Sequence, residues 1–289
     1  MQPTSPQAPL RLALPKGRQQ KSLFTLLDEA GLGVRSSSRG YRPTLPGQNF
    51  ETKLLKPQSI VEMLRAGSRD LGFAGADWVA EREAPLVRLL DTELDPVRIV
   101  AAGPPEIAGQ LAARPLVIAS EYEGLARRWA EERGYDARIV RSFGSTEVYP
   151  PEDADLIVDN CSTGDTLRAN GLAEFEVLIE SSTGLYASPQ ALESAEKRQQ
   201  IESFALVLRS VVEARKRVML ELNVSESDLE SVIETLPSMK RATVSPLHGG
   251  TGFAVKAAVP RGEVAGLVPL VKERGGSDIV VSAFTQIVP

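Results

Sequence analysis

Short apolar runs recur along this chain, and most are followed by a stretch whose apolar residues return every three or four positions. This alternation constrains the fold more than any other feature. An apolar run needs cover on both faces of its sheet, and an amphipathic helix needs a sheet to cover, so the order strand, helix, strand predicts α/β layers with largely parallel sheets. Arg11 to Leu14 reads as a strand stopped by Pro15. A helix follows with Leu23, Leu26, Leu27 and Ala30 on one face and Gly31 beyond it. Phe50 to Leu55 is the next strand. Ser59 is expected to cap a helix carrying Ile60, Val61 and Leu64. Asp70 to Ala74 and Val97 to Ala102 are buried-type strands, the second ended by Gly103-Pro104-Pro105.

A second unit of the same kind begins after that break. Leu116 to Ala119 is a strand, and Ser120 with Glu123 predicts a capping box for a helix bearing Leu125, Ala126 and Trp129. Arg138 to Arg141, Leu156 to Val158, Val177 to Ser181 and Gly184 to Ala187 are further strands. Ala191 to Arg215 reads as one long helix. The remainder changes order. Val218 to Val224, a helix with Leu229, Val232, Ile233 and Leu236, then Thr243 to Leu247, Phe253 to Val259, a helix from Gly262 to Glu273, and Ile279 to Val288 give βαββαβ, the ferredoxin-like arrangement.

Composition narrows the function. Lys and Arg number 33 against 38 Asp and Glu, a net charge of −5, which does not suit a nucleic-acid surface. One cysteine excludes an internal disulfide. With only one histidine beside it, Cys/His zinc patterns are excluded too. No run approaches the roughly 18 apolar residues of a membrane span. The start, MQPTSPQAP, is polar and Pro-rich. Met1 to Pro9 is expected to be a disordered tail, with no targeting segment, and the location expected is cytoplasmic. At roughly 100–200 residues per domain, 289 residues imply two domains or three.

The stretch that carries chemistry runs from Leu156 to Arg168. An apolar strand ends in Asp159, a turn of small residues follows, and a helix opens behind it. Gly164 permits a positive φ and close approach of a ligand. The amides from Ser162 to Thr166, Asp165 included, can point into one concavity that suits a phosphate, and the hydroxyls of Ser162, Thr163 and Thr166 add donors. Asp159 is placed for sugar hydroxyls or a metal-bound water. No GxxxxGK[ST] loop occurs.

Taken in order, the motifs ALPKGR at Ala13–Arg18, LKPQ at Leu55–Gln58, DLGFAGADW at Asp70–Trp78, GSTE at Gly144–Glu147, the Asp159 loop with Ala169–Leu172, Pro246-Leu247 and GGSDI at Gly275–Ile279 make the chain resemble the ATP phosphoribosyltransferase family in its long form. That resemblance implies two periplasmic-binding-protein-like α/β lobes, 10–103 with 182–215 and 104–181, followed by a ferredoxin-like (ACT-like) regulatory domain at 216–289. It implies transfer of phosphoribosyl from phosphoribosyl pyrophosphate to N1 of ATP with Mg²⁺ present. It also implies inhibition by L-histidine bound between C-terminal domains, and dimers or hexamers. By motif position, Asp159, Ser162, Thr163, Gly164, Asp165, Thr166 and Glu147 would hold the phosphoribosyl group. Lys16, Arg18, Lys56 and Asp77 would meet the nucleotide, and Asn223 and Thr243 would meet histidine. Lys56 stands where the family often has Arg, and gives a point charge without a bidentate grip. No acid, base or covalent catalyst is expected, since adenine N1 has a free lone pair, and the metal ligands stay unassigned. The rival from another class is a non-catalytic two-lobed ligand-binding or sensing protein.

Overall fold

The computed structural model describes residues 8–35, 40–237 and 241–288. Most of the expected N-terminal tail (residues 1–7) lies outside them. The chain divides into two compact units. One holds Leu32–Ala205 with the residues up to Asp28, and the other holds Leu206–Pro289 with Glu29–Gly31.

The first unit opens with β1 (Leu10–Pro15), α1 (Arg18–Glu29), β2 (Phe50–Leu55), α2 (Pro57–Arg65), β3 (Leu71–Gly75), α3 (Ala76–Glu81) and β4 (Val87–Gly103). It continues with β5 (Leu116–Ser120), α4 (Glu123–Arg133), β6 (Ala137–Arg141), β7 (Leu156–Cys161), α5 (Asp165–Ala169), β8 (Ala173–Ala187) and α6 (Pro189–Glu193), and ends within α7 (Ala195–Lys216). Its strands lie in the order β2-β1-β3-β8-β4-β7-β5-β6. At one end β2, β1 and β3 are parallel, at the other β7, β5 and β6 are parallel. The long strands β4 and β8 run antiparallel to each other between the two sets. These are two α/β lobes joined by a pair of crossing strands. The sheet is therefore mixed rather than largely parallel.

Two expected strands, Val177–Ser181 and Gly184–Ala187, are one strand of 15 residues, and Val97–Ala102 is the second half of one of 17. Repeated register shifts between β4 and β8 break the two-residue alternation that would have marked their length. The apolar faces of Ile60, Val61 and Leu64 on α2 and of Ala126 and Trp129 on α4 pack into one core with Ile99, Ile118 and Val158.

Two helix starts and the continuity of one helix depart from expectation. Lys56, not Ser59, occupies the position before α2, and Pro57 begins the helix, where its missing N–H costs nothing. Ser120 makes no capping box with Glu123, because its hydroxyl donates to the Val158 carbonyl and accepts from the Tyr122 amide. The expected helix Ala191–Arg215 is two helices separated at Ser194, which is extended (φ −79°, ψ 120°).

The second unit contains β9 (Arg217–Val224), α8 (Leu229–Thr235), β10 (Thr243–Pro246), β11 (Phe253–Pro260), α9 (Val264–Glu273) and β12 (Ser277–Ala283). The sheet order β10-β11-β9-β12, antiparallel throughout, is the ferredoxin-like topology. Val218, Leu220, Leu222 and Val224 alternate onto the helix-covered face with Val232, Leu267 and Val271.

Candidate active site

The small-residue turn after β7 folds as its residue types dictate. β7 ends at Cys161, Gly164 turns at φ 79°, and α5 begins at Asp165. A Cβ on Gly164 would lie 3.0 Å from the Arg168 guanidinium. Asp159, Thr163, Gly164, Asp165 and Thr166 border a cavity of about 290 Å³, together with Gly144, Ser145 and Glu147 from the loop after β6. Six of the seven expected phosphoribosyl residues are thus brought together. Ser162 is the exception. It lines a neighbouring cavity of about 600 Å³ with Arg98, Glu180 and Ser182. Asp165 does not set its carboxylate against an anion, since it accepts from the Thr163 hydroxyl (2.6 Å) and from Arg168 (2.5 Å). Cys161 is buried.

A second cavity, of about 230 Å³, is lined by Lys16, Arg18, Gln19, Pro57, Gln58, Asp77, Trp78, Asp95, Glu121, Tyr122 and Asn160. Lys16 lies at the end of β1, 5.3 Å from the Tyr41 ring, and Arg18 opens α1. Lys56 does not border this cavity, although its neighbours Pro57 and Gln58 do. It stands exposed at the rim, and its charge reaches Glu121. Asp77 is not a helix cap, because Gly75 precedes α3 and Asp77 sits in its first turn. The Asp77 carboxylate is buried and occupied. It accepts from the Ser181 hydroxyl (2.7 Å) and the Tyr122 hydroxyl (2.7 Å), while Tyr122 stacks on Trp78 at 4.6 Å.

The two cavities share Glu121 and Asn160. Negative charge gathers at that boundary. Burial holds the Asp159 carboxyl above its usual range against hydrogen bonds from Thr146 and Asn160, with the Glu147 charge adding to the effect. Burial also raises Glu121, helped by Asp159 and opposed by Lys56 and Arg141. Among the described residues, no group of three or more His, Cys, Asp or Glu is placed to hold a metal ion by itself. Sequence reasoning passed over Glu121 and Tyr122. Nothing in their local pattern marks them, since what places them is the position of Ser120 at the end of β5, against β7.

A family model described as ATP phosphoribosyltransferase matches residues 56–210, and one described as HisG, C-terminal domain matches 214–286. The chain belongs to the ATP phosphoribosyltransferase family. The ATP phosphoribosyltransferase of Pelotomaculum thermopropionicum is 32% identical over 287 residues, 97% of this chain and 99% of that one. That of Chlorobium phaeovibrioides is 35% identical over 278 residues, 93% and 94%. A chain of the ATP phosphoribosyl transferase (HisG:HisZ) complex from Thermotoga maritima superposes with a TM-score of 0.63 at 29% identity, covering 71% of this chain and 98% of its own length. Relatives in this family are pentosyltransferases, and the match across both units corresponds to the long form.

Proposed function

We propose that this chain transfers the phosphoribosyl group of phosphoribosyl pyrophosphate to N1 of ATP, releasing pyrophosphate, as the first step of L-histidine biosynthesis. Family membership supports the reaction. The single observation that carries the assignment of the site is that a glycine-turn cavity and a cavity bearing Lys16 and Arg18 meet at Glu121 and Asn160. Thr163, Gly164 and Thr166 would hold the 5′-phosphate, with the loop amides as donors. Asp159 and Glu147 would face the ribose hydroxyls. Lys16 and Arg18, with Lys56 at the rim, would meet phosphates of the nucleotide. Asp77 would position the adenine end through Tyr122, its own oxygens being occupied.

The chemistry needs no strong base. C1 of the ribose gains positive character as its bond to pyrophosphate breaks, and N1 attacks with its lone pair, so alignment and charge stabilisation lower the barrier. Asp159 and Glu147 line the phosphoribosyl cavity, and their hard carboxylate oxygens would suit a Mg²⁺ ion bound with the substrate. Such an ion would neutralise charge on the leaving group. The lobes are taken as 10–103 with 182–215 and 104–181.

Regulation is assigned to 216–289. Asn223 on β9 donates to the Asp278 carboxylate (3.0 Å), so a negative charge stands beside it. Thr243 lies on β10, beyond β11. With Asp278 added, Asn223 and Thr243 would offer histidine an acceptor for its ammonium and polar partners for its imidazole. A dimer or hexamer in the cytoplasm is the expected setting. Among the described residues no helix is long and apolar enough to cross a membrane. The test is direct. ATP, phosphoribosyl pyrophosphate and Mg²⁺ are mixed with the protein, and N1-ribosylated ATP is sought by mass spectrometry. Absence of that product at enzyme concentrations near those of the substrates would overturn the assignment.

A further inference from the structure

The nucleotide cavity is bordered by three carboxylates, and two of them are already engaged. Asp77 accepts from Ser181 and Tyr122, and Asp95 accepts from the Ser22 hydroxyl at 2.6 Å. Glu121 is different. Among the described residues no hydrogen bond or ion pair holds its carboxylate, although the residue is half-buried. It is also one of the two residues that line both cavities. The other, Asn160, is uncharged, and its amide nitrogen is turned onto Asp159 at 3.0 Å. Glu121 therefore faces both cavities as an acceptor that no donor among the described residues occupies, open to a donor on a bound ligand.

The position says which donor. If the ribose lies in the first cavity and adenine in the second, the bond between C1 and N1 forms at their shared boundary. The nearest donor on adenine is the exocyclic 6-amino group beside N1. We infer that Glu121 is a catalytic residue that accepts a hydrogen bond from the 6-amino group of the bound adenine, and that this bond strengthens as N1 is ribosylated. In that step the N1 lone pair forms the bond to C1. The C1–O bond breaks and its electron pair leaves with pyrophosphate. No proton moves, and the purine acquires one positive charge shared between N1 and the 6-amino group. A carboxylate facing that amino group therefore interacts more strongly with the transition state than with ATP, which is what raises turnover rather than binding alone. The same contact selects a 6-aminopurine.

This inference rests on the proposed reaction, and the experiment separates the two. Turnover is measured with ATP and with purine riboside 5′-triphosphate, which keeps the N1 lone pair but lacks the amino group, in the wild type and in Glu121→Gln and Glu121→Asp. The deamino substrate is slower for intrinsic reasons, so the informative quantity is how each substitution changes the ratio of the two. Expected is a fall in kcat with ATP of about ten- to a hundredfold for Glu121→Gln, the effect of one charge-assisted hydrogen bond, with KM within threefold. The deamino substrate should change by less than threefold, and Glu121→Asp should recover part of the loss. Equal losses with both substrates, or a loss confined to KM, would overturn the role of Glu121 while leaving the reaction in place. No ribosylated product from the wild type with either substrate would overturn the reaction and this inference with it.

Discussion

Gly164 and Asp70 show how much a single residue decides here, for opposite reasons. Gly164 holds φ 79° beside the Arg168 guanidinium. A β-branched residue in that region costs roughly 1–2 kcal/mol in backbone strain before its side chain meets the cavity. Gly164→Val should therefore lose affinity for phosphoribosyl pyrophosphate by at least tenfold, measured by calorimetry on protein shown to be folded by its near-ultraviolet circular dichroism. Unchanged affinity would remove the loop from the site. Asp70 works through charge. Its side chain is almost fully buried; burial alone would raise its carboxyl, but hydrogen bonds from the Arg11 guanidinium and amide and from Lys197 bring it down to about 2. A carboxyl depressed on folding contributes stability that is fully present above its unfolded value near 4 and is lost as pH falls through about 2. The depression is worth about 2 kcal/mol. Denaturant melts of Asp70→Asn should show that deficit at pH 7, shrinking as pH falls from about 4 to about 2. A constant difference across that window would exclude the linkage.

Among the elements, α4 is the clearest case of a start that its own sequence does not explain. Tyr122 precedes it and caps nothing with its side chain. The exposed amides of Gly124 and Leu125 are instead taken by the two oxygens of Glu81, at the end of α3, at 3.0 and 2.8 Å, and Arg128 returns a hydrogen bond to the Ala80 carbonyl. This is an N-cap delivered from another helix, made of a charge at the positive end of the helix dipole. Glu81→Ala should cost about 1–2 kcal/mol of stability, and hydrogen exchange should show the first turn of α4 losing protection before the sheet does. Gly124 belongs to the same contact, since a Cβ there would come within 2.7 Å of the Glu81 carbonyl. Uniform loss of protection over the whole unit would mean that Glu81 is not a local cap.

For the molecule as a whole, the regulatory assignment makes the strongest demand. Histidine bound to the C-terminal unit can change turnover only if it binds two conformations of the chain with different affinity. With two conformations that bind phosphoribosyl pyrophosphate alike and differ in turnover, inhibition by millimolar histidine should be non-competitive with that substrate. Asp278→Asn, which leaves Asn223 without its charged partner, should raise the inhibition constant about tenfold, as one charge-assisted hydrogen bond would. Initial-rate inhibition curves on the intact enzyme and this variant decide it. Competitive inhibition, or curves that coincide, would place histidine elsewhere.

What the residues determined by themselves was local. Apolar runs, helical spacing and the small-residue turn after Asp159 were enough for the α/β class, the βαββαβ tail and the loop around Gly164, because each depends on neighbours a few positions apart. Helix starts and strand lengths needed the fold. Ser120 had a better partner in Val158, 38 residues away, than in the helix it was expected to cap, and β4 and β8 are long because each supports the other through several register shifts. Which carboxylate is available was decided only in three dimensions. Asp77 carries the family motif yet has its oxygens occupied by Ser181 and Tyr122, whereas Glu121 carries no motif and is left facing the junction of two cavities. Whether an acceptor is already satisfied depends on donors brought from distant parts of the chain, and no local pattern encodes that.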